Sequence, residues 1–433
     1  MTESFTKALA AFAVSESDPP KLARDVARLS ALDWLACGYA GRKEPLAKIL
    51  RAQALAEGGV THCNLFGGSK VSARQAALVN GAISHALDYD DTHFAHIGHP
   101  SVAVYPAAFA LGEKHVAPLP KVLIAALYGM EVSIRLGIWL GRTHYQAGFH
   151  QTATAGAFGA LVAAGRLLDF TDHQMEQGVG LVASRAAGLK AQFGTMGKPY
   201  NAGCAASIGV EVAELVALGF EGNPQALAGP LGFGETHQGE NNIEAALADL
   251  EQRWLVEGIS HKFHACCHGL HAALEALRSL DVAEPEIARI DLRTHPRWMT
   301  VCNQLAPESE LGLKFSYRSA LAMMALGRDT GRLDSYHSDL LNEPKFVSLR
   351  DRIHVSEDPS LTETEAGISL LKRDGKRVLA QHDLAQELDY SALETRVRAK
   401  ADSLMGVERA EEAWLFLKYD QELMGMMDRF MGG

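Results

Sequence analysis

Apolar positions along most of the chain recur every three or four residues, which predicts α-helices. Residues 22–36 and 122–132 show this spacing clearly, and it continues to about residue 264. The same spacing returns at Tyr390 and runs towards the C-terminus. The pattern therefore predicts a helical domain formed by two separate parts of the chain.

A capping box predicts where one of these helices begins. Ser72 and Gln75 have the spacing of a Ser side chain that caps a helix and a Gln that binds back to it. The helix would run through Ile83, so Asp88 would lie close to its C-terminal end. The acidic segment that follows Asp88 is expected to be a loop.

The periodicity changes after about residue 272. Residues 289–294 and 352–355 alternate apolar and polar positions as strands do, and residues 368–378 form a hairpin candidate around Asp374-Gly375. Residues 314–326 and 335–341 are expected to be helices between them. The predicted fold is mainly α: a large discontinuous all-α helical-bundle domain, 1–268 and 393–433, with a smaller inserted α+β domain, 269–392.

Composition narrows the function classes. A hydrophobic fraction of 47% with 21% charged residues is typical of a folded, soluble protein. The net charge of −11 argues against nucleic acid as a partner, because binding phosphates requires a basic surface. An anionic substrate would need a local cluster of Lys and His. The N-terminal residues show no signal peptide, and the least charged stretch, 143–165, is too polar to span a membrane.

The six cysteines show no CxxC spacing and no paired framework. This usage is typical of free thiols in a reducing compartment. The expected location is cytoplasmic, without a membrane partner.

The segment Asp88 to Ser101 contains an unusual density of groups that exchange protons. Three carboxylates and the imidazoles of His93, His96 and His99 fall within twelve residues. One interpretation is a loop in which Asp90 and Asp91 cap a turn while His93 and His96 face solvent. The other is an acid–base site in which Asp88 orients His99.

Two further segments carry candidate groups. His150 precedes a run of small residues in which Thr152 could cap a helix, which would place the imidazole at a positive helix end. Lys198 stands between Gly197 and Pro199, where a flexible backbone could hold the ammonium against a carboxylate. Lys198 could equally be a solvated surface lysine.

A histidine-rich segment runs from His261 to His271. If it were helical throughout, its four histidines would lie on one face, as in a metal site. The segment has no HExxH or paired-CxxC spacing, however, and Lys262 would repel a cation. The sequence therefore predicts no metal ligands, although a metal-dependent hydrolase stays open as an alternative from another class.

Taken together, these segments resemble the MmgE/PrpD family. The resemblance rests on Asp88-Tyr-Asp-Asp-Thr-His with Gly98-His-Pro-Ser, on Gly-Phe-His150, on the loop around Lys198, on residues 262–271, and on Lys314-Phe-Ser. The family includes 2-methylcitrate dehydratases, cis-aconitate decarboxylases and an iminodisuccinate epimerase. The resemblance implies a helical domain and a smaller α+β domain with the site between them, a homodimer, and no metal or organic cofactor.

The resemblance also implies roles for individual residues. The expected catalytic residues are Asp88, His99, His150, Lys198 and Lys262, and the expected substrate-binding residues are Thr92, Tyr145, Cys267 and His271. Asp90, Asp91, His93 and His96 are expected to shape and solvate the loop.

Two departures from the decarboxylase branch bear on the reaction. Cys267 stands where that branch has a histidine, with Ala265 in place of a proline, and Ser319 stands where it has an aromatic hydroxyl, with Tyr317 two residues earlier. These departures count against decarboxylation. The leading hypothesis, which the resemblance and the intact set of expected catalytic residues imply, is dehydration of a 2-methylcitrate-like polycarboxylate. Epimerisation of a dicarboxylate such as iminodisuccinate is the alternative, decarboxylation a further one, and a non-catalytic carboxylate-binding protein also stays open.

Overall fold

The computed structural model describes residues 2–282, 284–386 and 388–432, and it is mainly α-helical. The mainly α fold class is thereby confirmed. The chain forms two compact units: the first comprises Met1–His261 with Leu393–Gly433, and the second comprises Lys262–Ala392.

The first unit is built from helices and one short hairpin. Its helices are α1 (Thr2–Val14), α2 (Lys21–Gly41), α3 (Pro45–Glu57), α4 (Ala73–Ser84), α5 (Ser101–Lys114), α6 (Leu119–Gln146), α7 (Gln151–Thr154), α8 (Gly156–Leu167), α9 (Asp172–Ala183), α10 (Gly197–Ala217), α11 (Phe233–Thr236), α12 (Ile243–Leu247), α18 (Tyr390–Met405, the unit's part beginning at Leu393), α19 (Val407–Lys418) and α20 (Leu423–Met431). The antiparallel pair is β1 (Cys63–Asn64) and β2 (Lys70–Val71).

The predicted start of α4 is confirmed. The Ser72 hydroxyl accepts from the Gln75 backbone N–H while the Gln75 side chain accepts from the Ser72 backbone N–H, which completes the capping box. The helix ends at His85, and Asp88 follows in the left-handed region with φ of 51°. The chain therefore turns sharply between the end of the helix and the acidic segment.

Small residues allow the central helices to approach closely. A Cβ added to Gly129 of α6 would lie 2.5 Å from the Gly159 carbonyl oxygen of α8, and the reverse substitution meets the Gly129 carbonyl at the same distance. Any side chain at either position would push the two backbones apart. Gly129 and Gly159 thus serve close packing of α6 against α8.

One helix, α6, is long and apolar enough to cross a membrane by length and composition alone. In the structure, 89% of the most apolar 18-residue stretch of this helix is buried inside the protein. Gly141, with φ of 70°, interrupts its helical geometry near the C-terminal end.

The second unit is an α+β arrangement. Its helices are α13 (His271–Arg278), α14 (Pro296–Val301), α15 (Glu310–Leu313), α16 (Tyr317–Ala325) and α17 (Pro344–Arg350), and its strands are β3 (Ile287–Thr294), β4 (Ile353–Glu357), β5 (Glu365–Lys372) and β6 (Arg377–Asp383). The strand order is β4-β3-β5-β6, with β3 and β4 parallel and the other pairs antiparallel. The strands and the hairpin around Asp374-Gly375 are confirmed.

One local prediction was wrong. Thr152 does not cap a helix: the short α7 begins at Gln151 with His150 as its N-terminal flanking residue, and Thr152 lies inside it. The segment from His261 to His271 is not one helix either, because only a single 3₁₀ turn at His268–Leu270 precedes α13. The four histidines therefore do not share a helix face.

Candidate active site

The acidic segment forms a pinned loop between α4 and α5. Thr92 and Ser260 exchange backbone hydrogen bonds of 2.9 and 2.8 Å, and His93 donates to the Gly98 carbonyl at 2.9 Å. At the far end, Asp91 accepts from the backbone N–H and the hydroxyl of Ser101, the first residue of α5. The loop is thus fixed at both ends and in its middle.

Asp90 lies at the centre of the candidate site. Its carboxylate is fully buried and lies 2.9 and 3.1 Å from His85 Nδ1, while one oxygen lies 2.8 Å from His99 Nδ1. Burial would raise the pKa of Asp90, but the two imidazoles outweigh burial and hold the pKa well below its usual value. Asp90 is therefore an ionised anchor shared by two histidines.

Asp88 faces the other side of His99. One Asp88 oxygen lies 2.7 Å from Lys198 Nζ and 3.4 Å from His99 Nε2, and its side chain is 37% exposed. The predicted proximity of Asp88, His99 and Lys198 is therefore observed. Asp88 was expected to orient the His99 ring. The carboxylate that contacts His99 Nδ1, however, is that of Asp90.

Helix α10 supplies two polar groups from its first turns. Lys198 and Asn201 are three residues apart and so share a helix face. The Asn201 amide donates to His150 Nδ1 at 3.3 Å, and the Phe193 ring packs edge-on against the His150 ring at 5.0 Å. His150 is buried between these groups.

The His150 ring lies close to the Asp90 histidines. Its centroid is 6.0 Å from that of His85, with the planes 20° apart, and the His85 and His99 centroids are 4.6 Å apart. Burial lowers the pKa of His150 well below its usual value, and His85 and Lys198 act in the same direction. His150 is therefore a neutral imidazole.

The expectation that the remaining loop residues face water was wrong. Asp91, His93 and His96 are all buried. His93 Nε2 contacts the Leu255 carbonyl at 3.0 Å, and burial lowers the pKa of His93 to about 4 and that of His96 to about 3. These two histidines are neutral packing groups inside the loop.

Thr92 and Tyr145 have structural partners of their own. The Thr92 hydroxyl donates to the Ser260 carbonyl at 3.3 Å. Tyr145 accepts from Lys190 Nζ at its carbonyl, and the same ammonium lies 3.8 Å from the centre of its ring. Their predicted roles in substrate binding stay predictions.

The other predicted residues belong to the second unit. Lys262 is its first residue and is buried. His271 opens α13 and contacts the Cys266 carbonyl at 3.4 Å, while the Cys267 sulfur lies 3.4 Å from that of Cys302. All six cysteines are free.

The histidine-rich segment has no shared metal geometry. His261 pairs with the Ser30 hydroxyl at 3.1 Å in the first unit, whereas His264 contacts Thr330 and Glu275 at 2.7 and 3.0 Å in the second. Within the described ranges, the one group of donor atoms spaced for a metal ion is His85, Asp88, Asp90 and His99, within 4.8 Å of one another.

The chemistry of that group favours proton transfer over metal binding. Both Asp90 oxygens already contact imidazoles, and the Asp88 oxygen contacts the Lys198 ammonium, which would repel a cation. The arrangement alternates negative carboxylates with groups that hold or release protons. It is the type of site that abstracts a proton next to a charged substrate group.

Two residues of the candidate site differ from the expectation. His85 was not expected there, and Asp90 was expected only to shape the loop. His85 lies outside the dense segment, and it reaches Asp90 only because α4 ends at His85 and the chain reverses at Asp88. The signal present in the sequence was a histidine at the last turn of a capped helix, three residues before the first acid.

Comparison with known proteins identifies the family to which this fold and this site belong. The model of the MmgE/PrpD N-terminal domain matches residues 7–246, and that of the MmgE/PrpD C-terminal domain matches residues 264–414. The chain belongs to the MmgE/PrpD family.

Individual relatives in this family are enzymes. The chain is 27% identical to the cis-aconitate decarboxylase of Homo sapiens, over 98% of this chain and 92% of that protein. It is 29% identical to the cis-aconitate decarboxylase of Mus musculus, over 78% and 75% of the two chains. The match to the Aspergillus terreus enzyme of the same name is also 29%, over 63% of this chain and 59% of that protein.

Proposed function

We propose that this protein is an acid–base enzyme that removes a proton next to a carboxylate of a small di- or tricarboxylate. The observation that carries the proposal is the fully buried Asp90, which contacts the imidazoles of His85 and His99 beside the Asp88–Lys198 pair. A C–H group next to a carboxylate is only weakly acidic, so its deprotonation needs both a base and fixed positive charge.

The cationic side of the site suits an anionic substrate. Lys198 is a point charge that pairs with carboxylate oxygens, and its side chain is only 15% exposed. A substrate carboxylate could exchange places with Asp88 at the ammonium. His150, as a neutral imidazole, offers an N–H to a substrate oxygen.

Within this class, we propose a hydro-lyase that acts on a 2-methylcitrate-like hydroxy acid without a cofactor. Two features of the second unit support elimination of water over loss of carbon dioxide. Cys267 has no imidazole to offer, and Tyr317 is engaged elsewhere, because its hydroxyl donates to the Gly269 carbonyl at 2.7 Å and pairs with Thr294 at 2.8 Å. Epimerisation of a dicarboxylate needs the same proton removal and is the alternative.

Decarboxylation has support of a different kind. The relatives described above are named cis-aconitate decarboxylases, although their identity to this chain is below 30%. The hydro-lyase and the decarboxylase differ in the bond that breaks after the substrate is bound. An experiment that observes the bonds directly separates them.

The test is proton NMR of the protein in deuterium oxide with 2-methylcitrate, citrate, cis-aconitate and iminodisuccinate. New olefin signals with loss of the hydroxyl support the hydro-lyase, and deuterium entry without new olefin supports the epimerase. Release of carbon dioxide supports the decarboxylase. Binding without exchange or product would contradict an enzyme of this class and favour a carboxylate-binding protein.

Removal of the proposed charged and protonated groups tests the site. We expect His99→Ala and Lys198→Ala each to lower turnover at least about 100-fold, as is usual for one acid–base or electrostatic group. The matched control is Lys43→Ala, which removes an exposed lysine from the first unit. Near-normal turnover in both site variants would contradict the assignment.

A further inference from the structure

The two histidines on Asp90 do not carry the same protons. An ionised carboxylate only accepts hydrogen bonds; His85 Nδ1 is hydrogen-bonded to both Asp90 oxygens, and His99 Nδ1 lies at ion-pair distance, 2.8 Å, from one of them. Each Nδ1 therefore carries a proton. The difference between the two rings lies at their Nε2 atoms.

His99 Nε2 faces a second carboxylate. It lies 3.4 Å from Asp88 Oδ1, which again can only accept. A proton on each nitrogen would make His99 a cation that pairs with both carboxylates. The site then holds two negative groups, Asp88 and Asp90, and two positive groups, Lys198 and His99, so its charges balance.

His85 Nε2 has no such neighbour. The atom is buried and has no hydrogen-bond partner among the residues that the structure describes. Because Nδ1 already carries the proton, a neutral His85 has its lone pair at Nε2. His85 is the imidazole of this pair that can accept a proton.

His150 is set in the opposite tautomer. The Asn201 amide nitrogen can only donate, so His150 Nδ1 accepts and its proton lies on Nε2. Two neighbouring neutral imidazoles thus differ in kind: His85 offers a lone pair and His150 offers an N–H. Their ring centroids are 6.0 Å apart.

We propose that His85 is the catalytic base and that His99, held as a cation by Asp88 and Asp90, is the acid. This assignment rests on the proposed function. Nothing in the dense Asp88 to Ser101 segment pointed to it, because His85 lies outside that segment.

The proton balance of the hydro-lyase reaction follows. The bond between the substrate carbon and its α-hydrogen breaks, and the proton moves to His85 Nε2. The electron pair of that bond forms the new double bond while the bond from carbon to the hydroxyl oxygen breaks. The hydroxyl takes the Nε2 proton of His99 and leaves as water, and proton transfer from His85 to His99 restores the starting state.

A pair of variants separates the two roles. His85→Asn keeps an amide donor near the position of Nδ1, so Asp90 stays paired, but removes Nε2; His99→Asn does the same for His99. We expect His85→Asn to lower α-deuterium exchange into 2-methylcitrate or citrate at least about 100-fold. We expect His99→Asn to keep exchange within about 10-fold and to lose elimination at least about 100-fold.

Binding of tricarballylate, measured by calorimetry, should change little in His85→Asn, and His115→Asn is the control for an exposed histidine. Wild-type exchange rates in His85→Asn would overturn the assignment. Loss of exchange in His99→Asn alone would also overturn it, since the roles would then be reversed. If the wild-type protein exchanges no polycarboxylate hydrogen at all, the proposed function fails first and the assignment falls with it.

Nitrogen NMR of the ¹⁵N-histidine-labelled wild-type protein tests the same assignment without activity and without a variant that must fold. At neutral pH we expect a neutral ring with its proton on Nδ1 for His85 and a doubly protonated ring for His99. A His85 signal with the proton on Nε2, or a protonated His85, would overturn the assignment.

Discussion

Asp90 and Asp91 are adjacent and equally buried, yet their surroundings give them opposite properties. Asp90 contacts two imidazoles, and its pKa lies well below its usual value. Asp91 contacts the Ser101 hydroxyl and lies near the charge of Asp33, and burial followed by that charge raises its pKa to about 7.

The difference teaches that partners, not burial, decide which acid in this loop stays ionised. A carboxylate between two imidazoles stays ionised and fixes their tautomers. A carboxylate between a hydroxyl and another acid tends to hold a proton, and Asp91 also accepts from the first backbone N–H of α5. These two adjacent and equally buried acids therefore differ in charge because their partners differ.

Exchanging each acid for its amide is the sharpest test of this contrast. We expect Asp90→Asn to lower kcat by about 10³ to 10⁴-fold, because the amide would impose wrong tautomers on the two histidines, with KM within a few-fold. Asp91→Asn can still bind Ser101, so its kcat should fall by less than about 10-fold. Equal losses in steady-state kinetics on the substrate found by NMR would break the comparison.

The buried cation beside Asp33 offers the next largest effect. Lys400 of α18 lies 2.5 Å from Asp33 Oδ1 and donates to the Tyr89 carbonyl at 2.5 Å. Burial would lower the pKa of Lys400, but Asp33 outweighs it and the pKa is raised. Lys400→Met leaves Asp33 without a counter-charge, so we expect the free energy of unfolding to fall by about 3–5 kcal/mol in urea titrations.

The matched control for Lys400→Met is the double variant with Asp33→Asn, which removes both charges. It should recover at least half of the lost stability, because the uncompensated buried charge is gone. A double variant as unstable as Lys400→Met would show that packing, rather than charge, is what Lys400 contributes.

The smallest effect is a pH dependence that belongs to Asp91. Its pKa is raised from 3.8 to about 7 on folding, so the native state binds more protons between those values. Its contribution to stability is present at low pH and is lost as the pH rises towards 7. Relative to Asp91→Asn, the wild-type free energy of unfolding should fall by about 2–3 kcal/mol from pH 5 to pH 7.

Urea titrations of both proteins across this pH range measure that difference. Glu113 also has a pKa raised to about 7, but it is present in both proteins and cancels in the comparison. A constant difference between wild type and variant would show that Asp91 does not titrate in this range.

Much of the fold could be predicted because local rules decide it. The Ser72 capping box, the alternating strands of the second unit and the return of helical spacing at Tyr390 are all confirmed. A continuous helix from His261 to His271, which would have put the four histidines on one face, does not form because tertiary contacts decide that segment. His261 pairs with Ser30, which is 231 residues away in sequence.

The site was predicted in part for the same reason. Asp88, His99 and Lys198 are close together as expected from their motifs. The sequence did not reveal that Asp90 contacts the two imidazole rings. Successive side chains in a loop do not alternate between two fixed faces as they do in a strand. The left-handed backbone at Asp88 helps to set the direction in which each following side chain points.

The position of Lys400 in the sequence has a consequence for synthesis. The lysine that neutralises Asp33 and holds the Tyr89 carbonyl is made after the whole of Lys262–Ala392. A nascent chain that has not yet released α18 from the ribosome carries the acidic loop without its buried cation. The Asp33–Lys400 pair therefore forms only after the residues of the α+β unit have been synthesised.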